Sequence, residues 1–381
     1  MPDDFPPPRT PGQLIEALLN RHEWTQKTLA IILDVDVSII SKIVSGARAV
    51  DAKLALGLAD VFGEKAERFL ELQQSFDLAQ ARLIAREDPG RQNRAHLFGK
   101  LPVAEMIKRG WLAVDNIRDV PKVEAALATF FNAESADQIE VLPHAAKRTA
   151  VTGEVPPIQI AWLLRVKAIA KEQLVARYSP EAVLDLIERL KPLRASPEGT
   201  RQVPRALAAA GIRYVLVEAL PSSKIDGVCF WLNDHSPVVA MSVRYDRIDN
   251  FWFVLRHEIE HVLRLHGREA AVIDTELEGE KAGVGPDVPE EERFANEAAA
   301  EFCVPKRSMD SFVARKAPFF AERDLIGFAR TLQIHPGLVA GQLQHRTKRY
   351  ERFRNHLAKV RSVIAPSAIV DGWGDIYPLG S

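Results

Sequence analysis

The stretch Asn250-Phe-Trp-Phe-Val-Leu-Arg-His-Glu-Ile-Glu-His-Val-Leu-Arg-Leu-His-Gly267 decides how the rest of the chain is read. It contains His257-Glu258-x-x-His261. On a helix, residues i and i+4 lie on one face, so this spacing lets both imidazoles point at a single metal ion. Glu258 sits beside the first histidine, where a carboxylate can accept the proton of a metal-bound water without itself binding the metal. Phe251, Trp252, Phe253, Val254, Leu255, Ile259, Val262, Leu263 and Leu265 surround the pattern, which predicts a helix lodged in a core. A histidine pair buried there is costly without a partner. His266, if the helix continues, lies on the side opposite His257 and reads as a helix-end residue.

A hydrolytic zinc centre uses three protein ligands and leaves one position for water. Downstream, Glu290-Glu-Glu-Arg-Phe-Ala-Asn-Glu-Ala-Ala-Ala-Glu-Phe-Cys-Val-Pro305 reads as a second helix, acidic in its first turn and stopped by proline. Ala295, Ala298 and Ala299 would let it approach the first helix closely. HExxH followed by Glu292-Arg-Phe-Ala-Asn296 and Pro305 resembles the ImmA/IrrE family of zinc metallopeptidases. The segment before it adds to the likeness, with Asp226-Gly227, Phe230-Trp-Leu232 and Pro237 through Arg247. The resemblance implies a His257, His261, Glu292 zinc site with Glu258 as the catalytic carboxylate. Glu291 and Glu297 stay open as alternatives to Glu292. Glu260 departs from the usual pattern, because zinc peptidases usually carry uncharged residues between the two histidines. Strands are expected at Ile212–Val217, Val228–Leu232 and Val238–Met241, with turns at Asp226-Gly227 and Asn233-Asp234.

The whole chain has 381 residues, 47% hydrophobic, with a formal net charge of −1. That length suits two or three domains. No apolar run approaches a membrane span, so a membrane role is not expected. The N-terminus lacks the basic start and apolar stretch of a signal peptide, and only two cysteines occur, Cys229 and Cys303. Both features point to a cytoplasmic protein with reduced core thiols. Near-neutral charge gives no global sign of nucleic-acid binding, so that reading must rest on local features.

Near the start, helices are expected at Pro11–Asn20, from Thr25-Gln26 to Leu33, at Val37–Val44 with Asp36 as N-cap, at Ala52–Phe62 and at Ala66–Ala81. The order Thr25-Gln-x-x-Leu-Ala30, Val35, Ile40-Ser-x-Ile43 and Gly46 resembles XRE-type helix-turn-helix proteins, and the tail from Phe62 to Ala79 is similar to HigA-like antitoxins. The resemblance implies that the third helix enters the major groove. Ser38, Ser41 and Lys42 would then face bases, and Gln26 and Arg48 would meet phosphates. It also implies a homodimer on a palindromic operator DNA. Asp34 stands where glycine is usual. Residues 1–82 hold nine Lys/Arg against twelve Asp/Glu, a net of −3, so DNA affinity should be weak and salt-sensitive.

Glu87-Asp-Pro-Gly90 breaks the helical pattern. Beyond it, Val103–Arg109, Val123–Phe131, Pro157–Arg177 and Pro180–Leu190 read as helices of a spacer with no catalytic constellation. Gly279–Glu292 reads as an acidic, Gly/Pro-containing loop near the active-site mouth. Toward the C-terminus, Leu325–Leu332 and the segment around Val339 and Leu343 read as helices, and Arg346–Arg361 is the most basic run, read as a helix with an exposed face. The expected organisation is therefore 1–82 helix-turn-helix, 83–199 helical spacer, and 200–381 peptidase-like domain. The fold class is mainly α with a small β-sheet (α+β). Together the resemblances imply a transcriptional repressor/antitoxin that carries a zinc metallopeptidase, with a toxin or regulator protein as partner or substrate. The alternative is an inactive peptidase-like module that neutralises a toxin while the N-terminal part binds DNA.

Overall fold

The protein was analysed as a computed structural model that describes residues 7–84, 95, 98–135, 146–148, 155–269, 271–275, 277 and 289–373. The expected break at Glu87–Gly90 and the acidic loop from Gly279 to residue 288 lie outside the described residues. The chain divides into two compact units, Met1–Gly90 and Arg91–Ser381.

The first unit holds helices α1 (Pro11–Arg21), α2 (Gln26–Ile32), α3 (Val37–Val44), α4 (Ala52–Phe62) and α5 (Ala66–Ile84). Four of their starts are set by side-chain caps. Thr10, Thr25, Asp36 and Asp51 accept the backbone N–H of Gln13, Thr28, Ser38 and Leu54, each satisfying a donor the helix leaves open. Asp34 adopts the left-handed conformation at φ 53°, which explains how it substitutes for glycine in the α2–α3 turn. Ile15, Leu29, Ala30, Ile40, Leu58 and Phe69 are fully buried at the centre of this unit.

Among the described residues of the second unit the helices are α6 (Val103–Lys108), α7 (Val120–Phe131), α8 (Pro157–Glu172), α9 (Pro180–Leu190), α10 (Val203–Ala209), α11 (Ile248–Leu263), α12 (Glu290–Cys303), α13 (Lys306–Lys316), α14 (Glu322–Thr331), α15 (Pro336–Thr347) and the short α16 (Arg361–Ile364). The strands are β1 (Ala146–Arg148), β2 (Arg213–Val217), β3 (Ile225–Trp231), β4 (Pro237–Met241), β5 (Ala271–Thr275) and β6 (Ile369–Asp371). They form one mixed sheet in the order β1-β5-β3-β4-β2-β6. β3 runs antiparallel to both neighbours, and the other pairs are parallel. Successive strand residues alternate between two cores, as the pleat requires. Val215, Val217, Val228, Phe230, Val238 and Ala240 meet Trp162 and the α6–α8 side. Tyr214, Leu216, Cys229, Trp231, Val239 and Met241 meet α11 and the helices after it. Helices thus cover both sheet faces, within the α+β class.

The described residues between 98 and 199 contribute directly to that sandwich. Trp162 donates its indole N–H to the Val217 carbonyl at 3.0 Å, and Trp111 donates to the buried Asp371 carboxylate at 2.8 Å. Arg165 also pairs with Asp371. α8 ends at Glu172, short of the expected Arg177, because Gln173 turns extended and its side chain donates to the Tyr214 carbonyl at 2.9 Å. The basic run 346–361 is likewise not one helix. α15 stops at Thr347, and both Lys348 and Phe353 take positive φ. Arg352 turns back to donate to the Phe320 carbonyl, Arg346 pairs with Asp310, and Arg361 donates to the Val243 carbonyl. These side chains serve internal contacts that a free helical face could not make.

Candidate metal centre

α11 lies against the sheet with Phe251, Trp252, Leu255, Ile259 and Val262 fully buried. Its periodicity leaves His257 and His261 on one face, both at 0% exposure. Their Nε2 atoms stand 3.0 Å apart. α12 closes on this face through Ala295 and Ala299, which are fully buried and small enough for close approach. The packing brings Glu292, in the first turn of α12, to the histidines. Its Oε2 is 3.3 Å from His257 Nε2, and its Oε1 is 3.3 Å from His261 Nε2. Glu291 is half-buried and Glu297 exposed, and neither joins the cluster of donors.

A fourth donor was not anticipated. Asp274, on β5, places its Oδ2 3.4 Å from His257 Nε2 and 3.8 Å from His261 Nε2. The four donor atoms lie within 4.8 Å of one another, and all four residues are buried. A zinc ion with bonds of about 2.0–2.1 Å holds tetrahedral donors roughly 3.3–3.4 Å apart. The His–His and His–carboxylate spacings, 3.0–3.8 Å, suit that requirement, while the full set of one donor atom per residue spreads to as much as 4.8 Å. Nitrogen and carboxylate donors are also the ligand types that zinc takes.

Glu258 is fully buried, with its carboxyl beside Asp274 and one oxygen against β3, where Gly227 makes room for it. A Cβ at residue 227 would fall 2.0 Å from Glu258 Oε1. Burial, reinforced by the nearby Asp274 and Glu292 carboxylates, pushes its carboxyl well above the ordinary carboxylate range. Burial opposes a charge on His257, but Asp274 and Glu292 outweigh it and raise that imidazole to about 10. Burial also opposes the Glu292 carboxylate, and hydrogen bonds from His257 and His261 still hold it below its usual range. The cluster is a receptor for positive charge.

Two further residues complete the setting. The helix ends at Leu263 and Leu265 takes φ 60°, so His266 folds back and its Nδ1 lies 2.9 Å from His261 Nδ1. That contact orients the His261 ring, a task usually given to carboxylates or carbonyls around metal ligands. Glu260 spans Arg256 at 2.8 Å and Arg264 at 2.7 Å, which accounts for a charge between the two histidines. Phe253 stacks on His257 and also lines a cavity of about 360 Å³ with Asn250, Asn296, Gln342 and Tyr350. Cys229 and Cys303 are buried free thiols.

In the first unit Ser38, Ser41, Lys42 and Arg48 are exposed and Gln26 is half-buried. Ser38, Ser41 and Lys42 project from α3, Gln26 opens α2, and Arg48 follows the Gly46 turn. Val37, Ile31 and Ile32 are exposed apolar residues around the α2–α3 turn.

No family model matches the sequence, and no curated protein matches it. Among solved structures, it is similar to an addiction-module antidote protein of a HigA family from Coxiella burnetii, at 33% identity over 19% of this chain and 78% of that one, with a TM-score of 0.18. A hypothetical protein from E. coli is similar at 26% identity over 22% of this chain and 94% of that one, with a TM-score of 0.19. Both likenesses are confined to about a fifth of the chain. Among the described residues no helix is long and apolar enough to cross a membrane.

Proposed function

We propose that the protein is a DNA-binding repressor or antitoxin whose second unit carries a zinc centre of the metallopeptidase type. The observation that carries this reading is the convergence of His257, His261 and Glu292 on one point, with Glu258 alongside. His257, His261 and Glu292 would hold the ion. Zinc bound there supplies an acidified water and polarises a scissile carbonyl. Glu258 would take the proton of the attacking water and return it to the leaving amine. His266 holds the His261 ring in orientation, and the cavity beside Phe253 receives a substrate side chain. The substrate or partner is a protein, a toxin or a regulator.

The first unit, in this reading, dimerises on a palindromic operator. Ser38, Ser41 and Lys42 meet bases from α3, and Gln26 and Arg48 meet phosphates. The test begins with metal. Purified protein should hold one zinc per chain; His257→Ala with His261→Ala should lose it, and Glu258→Gln should keep it. Zinc retained in the double variant refutes the site. Glu292→Ala should weaken zinc far more than Glu291→Ala or Glu297→Ala. On DNA, Ser41→Ala and Lys42→Ala should reduce sequence preference, whereas Gln26→Ala and Arg48→Ala should weaken all sequences alike. A second reading, a peptidase-like module without hydrolysis, is favoured by one observation: Asp274 stands among the metal donors.

A further inference from the structure

We propose that Asp274 is a fourth protein ligand and that the centre rests closed, with a carboxylate in the coordination position a hydrolytic water needs. The proposal deepens the zinc reading above and rests on it. Catalytic zinc sites keep that position open, whereas a shell of four protein donors is the mark of a closed site. Asp274 Oδ2 lies 3.4 Å from His257 Nε2, close to the 3.3 Å of Glu292, the ligand expected on other grounds. Its distance to His261 Nε2, 3.8 Å, is only slightly beyond the tetrahedral spacing.

Burial and charge agree with this assignment. Asp274 is 2% exposed and follows Ala271, Val272 and Ile273 on a strand that is otherwise apolar up to it. A carboxylate in such a place is costly unless cations compensate it. Two carboxylates and two neutral imidazoles balance the charge of a zinc dication, so the closed shell is neutral where water is excluded.

The backbone around Asp274 is built to aim it. β3 and β5 pair Ile225 with Thr275 and then Gly227 with Asp274, which leaves Asp226 as the extra residue of a β-bulge. Bulges re-aim side chains beside functional sites. Asp226 itself accepts the Leu277 N–H at 2.8 Å and faces Arg244 at 3.3 Å, pinning the end of β5 three residues past Asp274. Glu258, pressed against Gly227, then has no water to act on until Asp274 leaves the metal. Hydrolysis in this protein is therefore gated by release of one carboxylate, and a variant lacking it is open from the start.

The experiment uses the full chain loaded with zinc or cobalt(II), comparing wild type, Asp274→Ala and Asp274→Asn. Zinc affinity is read by competition with a chromophoric chelator, and access to the metal by the visible spectrum of the cobalt form with acetohydroxamate added. Asp274→Ala should lower zinc affinity by about tenfold or more, equivalent to about 1.4 kcal/mol. Its cobalt spectrum should shift with acetohydroxamate, and the wild-type spectrum should not. Asp274→Asn covers the case in which the alanine variant does not fold. Equal affinities, or a wild-type spectrum that responds to acetohydroxamate, overturn the closed shell and leave the His257, His261, Glu292 site standing. Wild-type protein that binds no zinc overturns both.

Discussion

Replacing Gly227 by alanine tests the placement of Glu258 without any knowledge of a substrate. The added Cβ would sit 2.0 Å from Glu258 Oε1, 2.8 Å from its Cδ and 3.0 Å from Val254 Cγ1. Non-bonded heavy atoms need roughly 3.5 Å, so the carboxyl must retreat by more than about 1 Å. It has little room, because Glu258 is 0% exposed and Val254 blocks one side. Overpacking of this kind costs about 1–3 kcal/mol. Residue 227 lies in a strand and not at a positive φ, so the backbone adds no penalty of its own. The assay is urea unfolding of zinc-saturated protein, followed through Trp111, Trp162, Trp231 and Trp252. Gly227→Ala should lose about 1–3 kcal/mol, and adding Glu258→Ala should recover at least about 1 kcal/mol of it, a coupling expected of residues in contact. Zinc content should stay constant throughout, since neither residue is a ligand. Effects that simply add, within about 0.5 kcal/mol, would refute the contact between the two residues.

Metal-free protein should lose stability as pH rises. His257 and Glu258 both bind a proton more tightly folded than unfolded, so the Glu258 contribution fades upward from about 4.5 and the His257 contribution from about 6.5 through about 10. Urea midpoints in chelator at pH 6.5, 8 and 10 should fall in that order; a rise would show the sign to be wrong. Asp371→Ala should cost about 2–4 kcal/mol by leaving the Trp111 indole and the Arg165 guanidinium without their acceptor, measured in the same assay. Arg352→Glu should destabilise by about 1–2 kcal/mol through loss of its bond to the Phe320 carbonyl, while the exposed Arg349→Glu and Arg354→Glu should stay within about 0.5 kcal/mol. Equal effects at all three arginines would mean that the turn at Phe353 is misread.

What could be read from the residues was what local chemistry dictates. Apolar spacing and caps located α1–α5 and α11, because a helix's own turns determine both. The i, i+4 spacing put His257 and His261 on one face, whereas the choice of Glu292 over Glu291 and Glu297 rested on a family resemblance and not on spacing. What escaped depended on pairing across the chain. Ala271-Val-Ile-Asp-Thr275 breaks its apolar run with a carboxylate and does not announce a strand, and only its partner β3 determines where Asp274 points. The first half of the second unit shows no catalytic motif, yet Trp111, Trp162 and Arg165 tie it to the sheet and to its last strand. His266 was assigned to the far side by extending helical geometry, which the left-handed Leu265 cuts short. Arg346–Arg361 showed charge but not the two positive-φ residues that fold it back.

The outer strand β6 has a consequence for how the second unit is made. It pairs in parallel with β2, joining Ile369 to Val215, whereas His257, Asp274 and Glu292 all fall between those two strands. During synthesis every residue of the candidate site therefore leaves the ribosome before the sheet can be finished. Until Asp371 emerges, the Trp111 indole and Arg165 lack the acceptor they share in the completed unit. Pairing across so long a stretch of chain is slow compared with packing two helices close in sequence. Helices α11 and α12, neighbours in the sequence, can close on one another while the translation machinery still holds back the final strand.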